Sequence, residues 1–264
     1  MGAQQLNLWQ FLLVYLLVLV MLLVFQKQKL DQTKLLLVAS IRMTVQLVLA
    51  GLILQLIFQY PHPIFTVAYL TVILLFAIHR MLAGCRCLNW KFRLAAALSL
   101  TGVGLLILFF FVCAVIGQSF FDPQYTITLS GMIIGNAMTG VSLSLRVFTD
   151  DLLQRRSELH CLLNAGVHPK RILHPLVSHA LSSALLPTLN SMLGMGIIFL
   201  PGMMTGQILS GTLPTTAILY QIAVMLCVCT SVCLASFFTL YFGSKTLYNE
   251  QLQLCLPVIS NQRK

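Results

Sequence analysis

Long apolar stretches separated by short polar connections make up most of this chain. A helix needs about 20 apolar residues to cross a hydrocarbon core. The hydrophobic pattern predicts seven such segments, at 8–26, 35–58, 63–82, 94–117, 125–146, 178–208 and 215–243. The sixth segment is too long for a simple crossing and contains Pro187 and Pro201, so we expect it to kink or to lie partly outside the bilayer. The pattern predicts an all-α polytopic membrane protein with one transmembrane domain over residues 1–264.

Composition supports this interpretation. Of the 264 residues, 58% are hydrophobic and only 8% are charged, whereas a soluble domain carries roughly 25% charged residues. So few charges cannot solvate a globule of this length. The eight cysteines do not form the dense framework of a small secreted domain, and we interpret them as free thiols.

The basic residues lie in alternate connections, while the connections near 59–62, 118–124 and 209–214 contain no Lys or Arg. Fifteen of the sixteen basic residues therefore fall on one side: Lys27, Lys29, Lys34, Arg80, Arg86, Lys91, Arg93, Arg146, Arg155, Arg156, Lys170, Arg171, Lys245, Arg263 and Lys264. The positive-inside rule assigns that side to the cytoplasm. We expect the N-terminus outside, the C-terminus inside, and an uncleaved first span that acts as a reverse anchor. The net charge of +10 is then a topology signal rather than a nucleic-acid footprint.

The fifth segment is richer in small and polar residues than its neighbours. Gly131 and Gly135 form a GxxxG pair, and Thr139 and Ser142 continue the same helical face. Such a face serves either close helix packing or the lining of a transport pathway. Asn136 favours the pathway, because an amide in hydrocarbon needs a partner or a wet cavity.

The sixth segment contains a predicted helix interruption at Pro201 and Gly202. Free backbone at membrane depth is tolerated only against protein or water, and broken helices recur at the substrate sites of transporters. The interruption is either a gate or an ordinary kink near the outer surface. Asn190 supplies a second amide, so Asn136, Asn190, Pro201 and Gly202 are the candidate pathway or gate residues.

Sulfur-containing side chains leave the metal question open. Thioethers favour Cu(I), but methionine is also a flexible filler of irregular gaps. Both interpretations apply to the methionines of the sixth segment, which are Met192, Met195, Met203 and Met204. Cys229 and Cys233 are interpreted first as small buried hydrophobes.

Arg42 is the one basic residue inside a predicted span, with Gln46 one turn further on the same face. An arginine at the centre of a membrane helix costs about 2.5–3.5 kcal/mol, or less if its side chain reaches the interface. We predict a gating or interface role for both residues; snorkelling to the headgroups is the alternative for Arg42.

All six acidic residues lie outside the predicted spans: Asp31, Asp122, Asp150, Asp151, Glu158 and Glu250. An ion-coupled carrier normally needs a carboxylate within the membrane, and the chain also lacks a phosphate-binding GxxxxGK[ST] loop. We expect no cofactor bound by this chain: ATP hydrolysed by a partner drives the process, or the process is passive. An intramembrane enzyme or a passive scaffold is the alternative, and an enzyme is disfavoured because His179, at the edge of a span, is expected to have no acidic neighbour.

The segment at about 147–177 is the longest on the basic side. Glu158 begins an amphipathic turn, Gly166 suits the left-handed position that ends a helix, and Pro169 suits the first turn of the next. The segment is predicted to be a short helix, a tight turn and a new helix. That geometry fits a groove on a cytoplasmic protein; a structured surface loop is the alternative.

Four motifs together resemble the FetB-type family of ABC-transporter permeases, which are described as iron exporters and include plant aluminium-tolerance proteins. The motifs are Gly131 to Met138, Glu158 with Gly166 to Pro169, Leu200 to Gly206, and Tyr220 to Ile222. Arg42 and Gln46 also match the second span of that family.

The resemblance implies a homodimeric permease in the cell inner membrane, paired with a separate cytosolic ATPase of the FetA type. It implies that Glu158, Gly166 and Pro169 couple the permease to the ATPase, and that the pair exports iron or another metal and relieves oxidative stress. The residues support iron only in part. Ferric iron prefers oxygen ligands, and the predicted spans offer amides, hydroxyls and carbonyls without carboxylates.

Overall fold

The computed structural model describes residues 8–28, 32–60, 62–83 and 89–248. These ranges are helical almost throughout and contain no β-strand, which confirms the all-α prediction. The helices are α1 (Leu8–Lys27), α2 (Thr33–Gln59), α3 (Pro63–Ala83), α4 (Trp90–Phe110) with a π-helical end (Phe111–Ile116), α5 (Pro123–Gln154), α6 (Arg156–Asn164), α7 (Pro169–Gly194), α8 (Gly202–Leu209) and α9 (Pro214–Lys245).

Six of these helices are long and apolar enough to cross a membrane, namely α2, α3, α4 with its π-helical end, α5, α7 and α9. The first helix is a shorter apolar helix by the same measure, over Leu13–Lys27. Six long helices and one shorter one agree with the prediction of about seven spans. The chain is a multi-pass integral membrane protein.

The core is built by α3, α4, α5, α7 and α9, which pack on one another. At one end of the bundle the Phe92 ring of α4 stacks on Phe148 of α5, with ring centroids 6.1 Å apart. Gly243 of α9 lies against the same Phe92 ring, where a Cβ atom would clash. Deeper in the bundle, Gly140 lets α5 approach Val232 of α9. Glycines therefore set the close approach of the long α9 helix to both of its main neighbours.

Proline marks the starts of several helices. Pro123, Pro169 and Pro214 occupy the first turns of α5, α7 and α9, where a missing N–H costs nothing and the fixed φ suits the helix. The Asp122 carboxylate caps α5 by accepting a hydrogen bond from the Gln124 N–H at 3.0 Å. These residues fix where the three core helices begin.

The α1–α2 pair lies at the edge of the bundle. The hydroxyls of Tyr15 and Thr44 share a hydrogen bond between the two helices, but the most apolar window of α2 has no buried residue. A helix with apolar side chains all round and little burial is surrounded by lipid or by another protein.

The sixth predicted span is wrong in detail. A single segment over 178–208, broken at Pro187, is not what forms. Instead, α7 begins at Pro169 and continues through Pro187 to Gly194. A helix packed in a membrane bundle can continue through a proline, because neighbouring groups can satisfy the backbone that the proline frees. The helix ends only at Met195.

The helix of the fifth predicted span continues past the predicted end of the span. Instead of stopping at residue 146, α5 runs to Gln154, 32 residues in all. At 1.5 Å per residue the helix is roughly 48 Å long, against a hydrocarbon core of about 30 Å. Its last turns extend beyond the membrane on the basic side.

The basic residues Lys29, Arg86, Arg263 and Lys264 lie outside the described residues.

Candidate functional site: a polar cavity and the hairpin that leads to it

A small polar cavity of about 110 Å³ lies between α5, α7 and α9. Asn136 and Thr139 line it from α5, and Thr188 and Ser191 line it from α7. These polar groups are partly satisfied within their own helices, since the Asn136 amide donates to the Met132 carbonyl at 2.7 Å. The cavity brings together polar side chains that lie far apart in sequence at membrane depth.

Among the described residues, nothing packs closely against the GxxxG pair of α5. A Cβ atom placed on Gly131 or Gly135 would meet nothing within 4 Å, and Asn136 and Thr139 on that side are exposed. The glycine that α5 uses for internal packing is Gly140. Small and polar residues without a neighbour in hydrocarbon need a water-filled space or another protein surface.

Asn190 does not line this cavity; it lies on an exposed face of α7 beside it. Sequence reasoning missed Thr188, which does line it. The i, i+3 spacing of Thr188 and Ser191 places both on one helical face and could have identified the pair. The role of Asn190 in a pathway stays a prediction.

The predicted interruption near Pro201 is present, and it begins earlier than expected. The chain leaves α7 at Met195, and α8 begins at Gly202 with Pro201 as its N-cap residue. The segment between them turns at Gly196, whose φ is +80°. Its backbone is mostly satisfied internally, since the Gly196 N–H bonds to the Phe199 carbonyl at 3.0 Å.

Arg42 and Gln46 are not brought to the polar cavity. Both side chains are exposed on α2, and the Arg42 guanidinium lies 5.7 Å from the centre of the Phe76 ring on α3. An arginine over an aromatic ring gains about 0.5–1 kcal/mol at an exposed site. A gating role for the two residues stays a prediction.

At the basic end of the bundle, α5, α6 and α7 form a tight helical hairpin. A single residue, Arg155, separates α5 from α6. Leu159 of α6 is 2% exposed, and Leu162 and Leu163 pack against the core. Glu158 is on the exposed side and forms no ion pair within the described ranges. The short helix therefore lies with its apolar face on the bundle and its polar face outward.

The turn after α6 confirms the predicted helix end. Gly166 has a φ of +79°. Its N–H bonds to the Leu163 carbonyl at 3.0 Å, and the Val167 N–H bonds to the Leu162 carbonyl at 3.1 Å. These two bonds make a Schellman motif, which needs a left-handed residue at the glycine position.

The start of α7 also agrees with the prediction. Pro169 is its first residue and is buried. The preceding residue, His168, caps the helix, because its Nδ1 atom accepts a hydrogen bond from the Lys170 N–H at 3.2 Å. The hairpin thus has a defined geometry at both sides of its turn.

The expectation that His179 has no acidic neighbour is wrong. Its Nδ1 atom lies 2.7 Å from Oδ2 of Asp151 and joins α7 to the end of α5. The contact forms because α5 continues past residue 146 and carries Asp151 alongside α7. The His179 side chain is 61% exposed, so the pair ties the hairpin together at its surface.

Within the described part of the chain, no group of three or more His, Cys, Asp or Glu side chains is placed to hold a metal ion. The cysteines that the structure describes, among them Cys229 and Cys233, are free thiols.

Comparisons with known proteins agree with the membrane architecture. The model of the uncharacterised protein family UPF0014 matches residues 8–248. The chain is 31% identical to the UPF0014 membrane protein YjkA of Bacillus subtilis over 217 residues, which is 81% of this chain and 84% of that protein. It is 28% identical to a protein of Escherichia coli named "Probable iron export permease protein FetB" over 250 residues, 95% of each chain. It is 33% identical over 141 residues to the protein ALUMINUM SENSITIVE 3 of Arabidopsis thaliana, covering 53% of this chain and 52% of that one. No solved structure matches the chain.

Proposed function

Because this chain belongs to the UPF0014 family of membrane proteins, we propose that it is the permease subunit of an ABC transporter. In this proposal a separate cytosolic ATPase, the equivalent of FetA for FetB, supplies the energy. The cargo is iron or another metal, and it leaves the cytoplasm. The Escherichia coli relative that aligns over 95% of this chain is named as a probable iron export permease, which supports the permease role and the cargo.

One observation carries the proposal: the outward polar face of α6, held rigidly between the two helices that line the polar cavity. Arg155 and the Gly166 turn leave no flexible linker on either side. Asn136 lies 20 residues before Arg156 along this continuous stretch, roughly 30 Å away. A push on α6 therefore reaches the polar cavity as a movement of α5 against α7.

Three residues have defined parts in this coupling. Glu158 presents a carboxylate at the exposed side of α6, where a partner can contact it. Gly166 permits the left-handed turn, and Pro169 fixes the first turn of α7. The basic end, which the positive-inside rule assigns to the cytoplasm, is where a cytosolic ATPase would dock.

The pathway requires a second copy of the chain. In the part of the chain that the structure describes, Gly131 and Gly135 of α5 have no close neighbour, and Asn136 and Thr139 on that side are exposed. Two copies facing each other would enclose these residues between them and keep them from lipid. Pathway roles for Asn190, Pro201 and Gly202, and for Arg42 and Gln46 on α2, belong to the same proposal.

The test is co-reconstitution. The chain is purified with a candidate cytosolic ABC ATPase, placed in vesicles, and assayed for ATP hydrolysis and metal transport. We expect a stable complex whose hydrolysis increases with transported metal. An ATPase that does not bind the chain, or vesicles that move no metal with ATP, would contradict the proposal and leave an intramembrane enzyme or a passive scaffold.

A further inference from the structure

A second cavity, of about 430 Å³, lies at the end of α7 opposite the α6 hairpin. It is lined by the last turn of α7, the non-helical segment 195–201, α8 and α9. Four methionines line it: Met192, Met195, Met204 and Met225. We call this space the methionine cavity.

These methionines come from four separate pieces of the chain. Met192 belongs to α7, Met195 to the non-helical segment, Met204 to α8 and Met225 to α9. The whole chain has 11 methionines, so more than a third of them converge on one cavity. Local sequence clustering alone does not produce this, because Met225 lies a helix away from the other three.

A buried amide without a partner lines the same cavity. Gln221 of α9 is 6% exposed, and its Oε1 atom has no hydrogen-bond partner among the described residues. Leaving a buried acceptor unsatisfied is costly, because the atom loses its bond to water and gains none in return. Simple packing would favour an apolar residue at this position. The amide oxygen instead suits a ligand that is positively charged.

We propose that the methionine cavity binds a soft monovalent metal ion, Cu(I) or its analogue Ag(I), as the cargo of the permease. Thioether sulfur is a soft ligand that selects Cu(I) over hard ions. No carboxylate lines the cavity, so neutral ligands would have to compensate the whole charge of the ion. The desolvation cost rises steeply with charge, which favours a monovalent ion over a divalent or trivalent one.

The assignment of the ion as cargo rests on the proposed transport function, whereas the binding itself does not. Packing is the rival explanation for the sulfur atoms, because methionine fills irregular gaps and lines adaptable apolar sites. In that case the cavity would bind an apolar molecule such as a lipid tail. It would then bind Ag(I) no better than any other apolar surface of the protein.

Equilibrium dialysis of the purified full-length chain in detergent against Ag(I) distinguishes metal binding by the methionines from simple packing. All cysteines are first replaced by alanine, because the thiols of α9 would also bind Ag(I). In this background Met192, Met195, Met204 and Met225 are changed to leucine together. The matched control changes the same number of methionines elsewhere to leucine, at Met21, Met43, Met132 and Met138. Leucine conserves volume, so both variants are expected to fold, and size-exclusion elution checks this.

We expect Ag(I) affinity to fall at least about 100-fold in the cavity variant and to stay unchanged in the control. Gln221→Leu should weaken binding about 10-fold, as for other groups that support a metal site. Equal Ag(I) binding by both methionine variants would overturn the proposal, as would the absence of Ag(I) binding in the cysteine-free chain.

Dialysis needs neither the ATPase nor transport, so the two proposals fail separately. If Ag(I) binds through the methionines but vesicles move no metal with ATP, the cavity survives as a binding site and the permease function does not. If the vesicles move metal and the methionine variant transports it normally, the permease function survives and the cavity is not the cargo site.

Discussion

The two ends of α7 differ in how they are held to the rest of the bundle. At the basic end, the Schellman bonds of Gly166, the cap by His168 and the contact between Asp151 and His179 hold α7 to its neighbours. At the opposite end, the chain leaves the helix, and Ile197 and Ile198 are 91% and 81% exposed. In the proposed permease, the first end would transmit a movement and the second would rearrange. A permease driven from one side needs this asymmetry.

The largest expected effect comes from the rigid end. Gly166→Val places a β-branched residue in the left-handed region, where a non-glycine residue is strained by about 1–2 kcal/mol, enough to shift a two-state population about 5–30-fold. We expect ATP-driven transport to be lost while membrane insertion, followed by yield in the membrane fraction, is unchanged.

Gly166→Asn is the matched control, because asparagine tolerates the left-handed region better than other residues. It should recover most of the transport activity. Normal transport by Gly166→Val would show that the turn does not couple α6 to the bundle.

The polar cavity between the two ends is expected to give the next largest effect. Asn136→Leu removes the amide from the cavity, and we expect transport to fall about ten-fold, the size of one lost hydrogen bond to a charged group. Thr128→Val is the control on the same helix, since its exposed hydroxyl bonds to the Gln124 carbonyl of its own turn. A similar loss in both variants would mean that α5 is sensitive to any polar change, not that Asn136 lines the pathway.

The next prediction concerns the segment 195–201 at the far end of α7 and its backbone dynamics. Pro201→Ala gives the backbone before α8 more conformational freedom. Such a change lowers the free energy of unfolding by about 0.4–1 kcal/mol. We expect amide hydrogen exchange over residues 195–201 to increase about two- to five-fold. Pro214→Ala, at the start of α9, should leave exchange in that segment unchanged; an equal increase in both variants would remove the special role of Pro201.

The smallest effect is expected at Asp151 and His179. An exposed pair contributes about 0.2–1 kcal/mol, so a double-mutant cycle of Asp151→Asn and His179→Ala should give a small coupling energy. Because salt screens exposed charges, the coupling should fall further at high ionic strength. A coupling energy that does not respond to salt would show that the contact acts as a hydrogen bond and not as an ion pair.

Much of this architecture follows from the sequence. The apolar segments predict the helices because lipid requires backbone groups to be satisfied within each segment. Gly166 and Pro169 predict the α6 turn because few residues suit those backbone positions. What the sequence could not show depends on packing: whether Gly131 or Gly140 meets a neighbouring helix is a matter of which face turns inward.

Helix ends near the membrane surface were harder to predict. The extension of α5 to Gln154 carries Asp150 and Asp151, but its Phe148 and Leu152 are buried in the bundle, so its helicity depends on packing that the sequence alone does not show. Proline disrupts an isolated helix because it leaves a backbone carbonyl without its N–H partner, whereas α7 continues through Pro187. The convergence of methionines from four separate pieces likewise appears only when the chain is folded.

The central claim is that the polar face of α6 binds the ATPase. Cys161 provides a probe, because it lies on α6 and is exposed. In a chain whose other cysteines are replaced, maleimide labelling of Cys161 is measured with and without the ATPase, beside a chain labelled at Ser119→Cys on the opposite end. We predict that the ATPase lowers maleimide labelling of Cys161 and leaves labelling at Ser119→Cys unchanged. Equal labelling of Cys161 with and without a bound ATPase would contradict it.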